Sequence, residues 1–166
     1  MERRAGAASA GLVGLAGLHV IWAAGSSWPL PDRATLSDAV IGHDKFPSST
    51  ACLTVAGALA IGSAFVAGLP AHPDWLQRIG ATGVAGVLAT RGVLGVAGMT
   101  RLISQGSSSL RFRQLDRRLY SPLCLTLAAL AAPATSQGGS IFERRRRVNL
   151  RAALTPSAGA GKLSAE

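Results

Sequence analysis

The chain has 166 residues, a formal net charge of +9, a mean hydropathy of +0.32, 48% apolar residues and only 15% charged ones. A soluble domain of that composition would lack the polar surface to cover itself, so the balance points to a protein whose helices are surrounded by lipid. The basic residues sit mainly at the ends of apolar runs, where anionic lipid headgroups are the natural partner, and no aromatic platform accompanies them, so no nucleic-acid partner is expected.

Arg3 and Arg4 precede residues 5–28, which carry no charged side chain and are long enough for a first membrane-spanning helix. A basic start, an apolar stretch and the small residues Ala23, Ala24 and Gly25 also resemble a signal peptide, but the apolar run is long for one. Trp28 and Pro29 close this span, the tryptophan at an interfacial depth. In residues 30–48, Asp32 as N-cap, Leu36 and Val40 one turn apart, and Gly42 as a stop predict a short amphipathic surface helix. Asp38, His43 and Asp44 read as solvated polar residues rather than as a metal site, and no metal is expected.

Residues 49–69 form a second span, in which Cys52, Ala56, Ala60, Ala64 and Gly68 recur every fourth position as a ridge of small side chains for helix packing. The short polar turn that follows, LPAHPDWLQR, with Trp75 and Arg78 at its far side and the turn residues Pro70, Pro73 and Asp74, predicts a tight hairpin, so the next span should be an antiparallel neighbour. That third span, residues 79–100, is apolar apart from Arg91 near its middle, and carries a small face at Ala81, Ala85 and Ala89. A charge at the centre of a span costs about 2.5 to 3.5 kcal/mol on insertion scales, so Arg91 should face the bundle interior and find a partner. No span contains Asp or Glu, which argues against a proton-coupled exporter.

In residues 110–120, Leu110 or Phe112, Leu115 and Leu119 recur at helical spacing while Arg111, Arg113, Asp116, Arg117 and Arg118 occupy the remaining, solvated faces, which predicts an amphipathic segment in the headgroup region. Ser121 as N-cap and Pro122 in a first turn then predict a new, short fourth span over residues 119–136. From residue 137 the composition turns polar and basic, with Arg144 to Arg147 in one run, as a disordered tail that can lie on anionic lipid. Counting basic residues on the two sides of four spans gives a weak preference for both termini in the cytoplasm.

No stretch carries a motif of known chemistry, so no catalytic residue and no cofactor is expected. Cys52 and Cys124 form no CxxC pair and read as small core residues, although a disulfide between them is conceivable if spans two and four are neighbours. His19 lies on a span that crosses in the same direction as the one bearing Arg91, and is the first candidate for its partner. Arg91, His19, Thr54, Tyr120 and Ser121 therefore make a candidate polar pocket for an anion or lipid headgroup. The competing reading is a structural hydrogen-bond network without a ligand.

Residues 112–124, FRQLDRRLYSPLC, with HVIWAAGSSWP at 19–29 and the pair Arg91 and Gly92, resemble a family of small actinobacterial integral membrane proteins of unknown function, the domain of unknown function 3995. The matched positions are His19, Trp22, Gly25, Trp28, Pro29, Arg91, Gly92, Asp116, Arg117, Tyr120, Ser121, Pro122 and Cys124. The resemblance spans roughly residues 10–133, leaves out the tail, and implies a four-helix membrane fold and no activity. With the reading of the residues above, the expectation is an all-α, four-helix transmembrane bundle over residues 1–136 with an amphipathic interfacial segment before the fourth helix. The expected function is a non-enzymatic membrane bundle, either a scaffold or a subunit that binds a membrane-protein partner or a second copy. The alternative is a small anion or lipid-headgroup binder or transporter at Arg91.

Overall fold

The computed structural model describes residues 2–43, 45–68, 74–99 and 109–134, so the basic tail from residue 137 onward lies outside the described residues, as does Asp44. The elements are α1 (Glu2–Ala23), α2 (Arg33–Val40), α3 (Ser49–Ala67), α4 (Asp74–Val96), α5 (Leu110–Leu115), a π-helical turn (Asp116–Tyr120) and α6 (Ser121–Ala131). All regular structure among the described residues is helical.

Three helices are long and apolar enough to cross a membrane: Arg3–Ala23, Ser49–Ala67 and Asp74–Val96. The expected fourth span does not reach that standard. The arginines of residues 111–118 occupy the first half of the last helical stretch, and α6 itself has 11 residues, or about 16 Å of rise. Even so, four helices share one core. Ala5, Ala8 and Leu12 of α1, Val66 of α3, Ala81 of α4, and Leu127 and Ala131 of α6 pack into a single buried cluster with Ala134 just beyond.

Neighbouring helices run antiparallel. Ser9 of α1 meets Ser63 of α3 through their hydroxyls at 2.8 Å, and the Ser49 hydroxyl at the other end of α3 donates to the Ala23 carbonyl at 2.9 Å. The expected pairing of the second and third spans is present. The Phe65 ring lies against Gly80, and Val84 lies against Gly62, so partners descend along α3 as they ascend along α4. The closest pairs are α1 with α3 and α4 with α6. In the second pair Gly92 faces Leu125 and the Ser121 carbonyl, an approach that only a residue without a Cβ permits.

The four-residue ridge expected on α3 holds only at its start. Cys52 and Ala56 are buried, Ala60 is exposed, and burial continues at Gly62, Ser63 and Val66. Each step of four residues overshoots a turn by about 40°, so a stripe of constant spacing four drifts off the contact face and packing alternates threes and fours.

Helix ends also differ from the hydropathy boundaries. Gly25, at φ 102°, and Gly98, at φ 73°, end α1 and α4 before the apolar composition does. In each case an amide reaches back five residues, Ser26 to Ile21 at 3.2 Å and Met99 to Leu94 at 2.8 Å, which closes the helix in the Schellman pattern. At its start α4 takes up Asp74, Trp75 and Arg78, residues expected in the turn. Both shifts move Arg91 away from the helix centre.

Beyond the C-terminal ends of α1 and α4, α2 packs on α5 as a cap. The Asp32 carboxylate accepts from the Thr35 amide at 2.7 Å, and Gly42 stops the helix at φ 75°, both as the sequence predicts. Leu36 inserts beside Trp22 and Cys52, and the Tyr120 hydroxyl donates to the Ala39 carbonyl at 3.0 Å. The predicted break at Ser121 is absent. Ser121 has φ −68° and ψ −46°, and α5, the π turn and α6 form one continuous helical rod. Pro122 has no amide hydrogen, and its ring would collide with the carbonyl four residues earlier in a regular helix. The widened turn just before it, in which the Ser121 amide reaches the Asp116 carbonyl, accommodates the proline without ending the helix.

Candidate functional site

Arg91 lies six residues past the midpoint of α4, about 9 Å along the axis toward the cap. Its Nη2 donates to Asp116 Oδ1 at 2.6 Å, an ion pair that joins α4 to the π turn. The Asp116 side chain is fully buried and that of Arg91 is 27% exposed. The Ser121 hydroxyl, also buried, donates to the same Oδ1 at 3.3 Å. Arg91 Nη1 is buried and has no hydrogen-bond partner.

Backbone choices on both helices make this contact fit. The π turn begins at Asp116 and leads to Ser121, so it sets the carboxylate and the hydroxyl against the same stretch of α4. Gly95 supplies the room: a Cβ there would stand 1.9 Å from Ser121 Oγ, 2.8 Å from Arg91 Nη1 and 3.0 Å from Asp116 Oδ2. A buried carboxylate without a cation is strongly unfavourable, and so is a guanidinium without an anion, so each residue accounts for the other's position.

Asp116, expected on a solvated face, turns inward instead and is the partner of Arg91. A signal was available, since Asp116 is the only acidic residue between Asp74 and Glu143. Asp116 lies outside the three long apolar helices, yet its carboxylate is buried against one of them. Of the five pocket candidates, the fold brings together Arg91 and Ser121. Tyr120 is adjacent in sequence, but its hydroxyl is engaged by α2. His19 Nδ1 pairs with the Leu15 carbonyl at 2.8 Å, and its ring packs on Trp22 with centroids 5.0 Å apart. The Thr54 hydroxyl donates to the Thr50 carbonyl on its own helix at 2.9 Å and is exposed.

Trp22 organises a second cluster. Its indole Nε1 donates to the Trp28 carbonyl at 2.8 Å, and its ring meets Phe46 edge-on at 6.2 Å. Trp28 and Pro29 are themselves exposed. Cys52 is buried in this cluster and Cys124 is half-buried on α6, and both are free thiols. Pro122 and Arg117 are exposed, with the Arg117 guanidinium lying over Gly98 at the end of α4.

Between α3 and α4 runs an open, almost wholly apolar groove of about 600 Å³, bordered by Leu12, Thr54, Phe65, Gly83, Val84 and Val87. Arg91 follows Val84 and Val87 at helical spacing, so it stands one turn beyond the end of that groove on the same stripe of α4.

No curated protein and no solved structure matches the chain. A family model does match, over residues 12–131, which takes in α1 from Leu12 onward, the cap, the ion pair and all of α6. The chain belongs to the family described as Protein of unknown function (DUF3995).

Proposed function

We propose that the chain is a multi-pass protein of the cell membrane, with α1, α3, α4 and the α5–α6 rod all crossing the bilayer, both termini cytoplasmic, and that it acts as a non-enzymatic bundle serving as a scaffold or a partner-binding subunit. The observation that carries this reading is the pairing of Arg91 with Asp116. The charge that most demands an explanation inside an apolar helix is answered by the chain itself, and the pair ties α6 to α4. Such a contact stabilises an arrangement of helices and requires no ligand. The short α6 is compatible with crossing because local thinning of the bilayer costs only fractions of a kcal/mol per Å of mismatch.

A reporter fused after Glu166 tests the orientation. Activity restricted to the extracytoplasmic side would overturn it. The scaffold role is tested by replacing the pair with Arg91→Met and Asp116→Leu together: a scaffold keeps its fold and its membrane partner, whereas loss of partner capture by a folded double variant refutes that role.

A second reading, an anion or lipid-headgroup binder at Arg91, draws support from the apolar groove that leads toward Arg91 and from the unpaired Nη1. Native mass spectrometry of the detergent-purified protein separates the two readings. A co-purifying lipid or anion that Arg91→Leu loses favours the binder, and identical spectra favour the scaffold.

A further inference from the structure

Arg111, Arg113 and Arg118 are all exposed on the rod that carries Phe112 and Asp116 on its buried side. None of the three makes an ion pair or side-chain hydrogen bond within the described residues, and the one carboxylate on their stretch of helix is buried against Arg91. Arg117 differs, because its guanidinium lies over Gly98 at the end of α4, where a helix dipole favours a cation. Among the described residues, three guanidiniums are thus left without an anion.

Their platform is built. Phe112 is 3% exposed and lies under Gly42, and a Cβ at Gly42 would stand 3.0 to 3.2 Å from Phe112 atoms. The Tyr120 bond to Ala39 holds the same rod to α2 from its other end. The rod then enters the apolar stretch of α6 directly, and Leu110 and Leu119, 69% and 54% exposed, flank the arginines. A helix that shows leucine and arginine together beside a membrane entry point sits where hydrocarbon gives way to headgroups. The planar guanidinium matches a phosphate with two parallel hydrogen bonds.

We infer that the α2–α5 cap is a docking face for anionic phospholipid, with Arg111, Arg113 and Arg118 taking the headgroup phosphates. This inference rests on the helices crossing a bilayer. It moves lipid recognition away from Arg91, which already has its counter-ion, to residues that have none among the described residues.

The test uses the full chain reconstituted in lipid discs of mixed phosphatidylglycerol and phosphatidylcholine, with the lipids that remain bound counted by native mass spectrometry. Parallel samples carry Arg144, Arg145, Arg146 and Arg147 changed to Gln, so that the cap is read apart from the tail. Arg111→Gln, Arg113→Gln and Arg118→Gln together should lower the ratio of bound phosphatidylglycerol to phosphatidylcholine by more than about tenfold, since each surface arginine contributes roughly fivefold. Changing the same three to Lys should give an intermediate ratio, because the charge remains while the two-pronged geometry is lost. If the triple Gln variant does not fold, Arg111→Gln and Arg118→Gln singly should each show the fivefold step. An unchanged ratio in a folded, inserted variant overturns the inference. Displacement of phosphatidylglycerol by millimolar inorganic phosphate or by an oligonucleotide would assign the face to a soluble ligand and overturn it as well. Release of the wild-type chain from membranes by carbonate would instead refute the membrane reading beneath it.

Discussion

Arg91 Nη2 and Asp116 Oδ1 stand 2.6 Å apart although 25 residues separate them, and one is on a helix that hydropathy marks as a span while the other opens a π-helical turn. Removing one member of a buried pair leaves an uncompensated charge, typically at a cost of about 3 to 5 kcal/mol. Asp116→Asn should therefore lower the unfolding free energy in detergent by about 3 kcal/mol, the lower end because Arg91 is 27% exposed. Arg91→Met combined with Asp116→Leu should cost clearly less than the two single changes summed. Additive losses across that double-mutant cycle would show that the two side chains are not coupled.

Glycine-to-alanine changes should differ in sign by position. At Gly95 the new methyl meets Ser121, Arg91 and Asp116 at 1.9 to 3.0 Å, so Gly95→Ala should destabilise by about 1 to 3 kcal/mol, as overpacking does. At Gly86 nothing lies within 4 Å, and Gly86→Ala should be neutral or stabilise by up to about 1 kcal/mol through helix propensity. Thermal unfolding of both variants in the same detergent decides this. Equal shifts would contradict the placement of Gly95 at the pair.

Hydrogen bonds from the Thr35 amide, and then from its hydroxyl, hold the Asp32 carboxyl below its ordinary value of 3.8. A folded-state value depressed in this way contributes stability that is fully present above pH 3.8 and is lost as pH falls through the folded value. Docking of α2 on Trp22 should accordingly loosen in acid below that range. Trp22 fluorescence in a Trp28→Phe, Trp75→Phe background reports it, and Asp32→Asn should keep the cap while flattening the acid transition. A transition of the same size in Asp32→Asn would assign the pH dependence to another group.

Gly42 combines a left-handed backbone with a close neighbour. Gly42→Ala should cost about 1 to 2 kcal/mol from φ 75° alone, and the methyl also presses on Phe112 at 3.0 to 3.2 Å. The cap should then separate from the bundle before the spans unfold, seen as faster proteolysis within residues 33–48 at a temperature where the far-ultraviolet circular dichroism is unchanged. Wild-type proteolysis rates would exclude this role for Gly42.

Hydropathy and local chemistry by themselves determined the all-helical class, the three long apolar helices, the antiparallel pairing of α3 with α4, the Asp32 cap and the Gly42 stop. Each of these depends on residues within a turn or two of one another, or on the composition of one run, so a single chain suffices to read it. Helix ends at Gly25 and Gly98 were harder to place. Glycine is frequent throughout these spans, and only a closing hydrogen bond distinguishes a stop from a packing residue.

The identity of Arg91's partner was decided only in three dimensions. His19 shares its level along the bundle but turns to Leu15 and Trp22, whereas Asp116, on what looked like a solvated arginine-rich face, turns inward. Two facts invisible to local pattern produce that inversion. Ser121 and Pro122 carry the signature of a helix start, yet a widened turn lets the helix run through them, and Gly92 and Gly95 admit α6 close enough for a short carboxylate to reach α4. Charge pairing inside an apolar bundle depends on which helix faces lie together, and that is fixed by packing across all four helices rather than by any one segment.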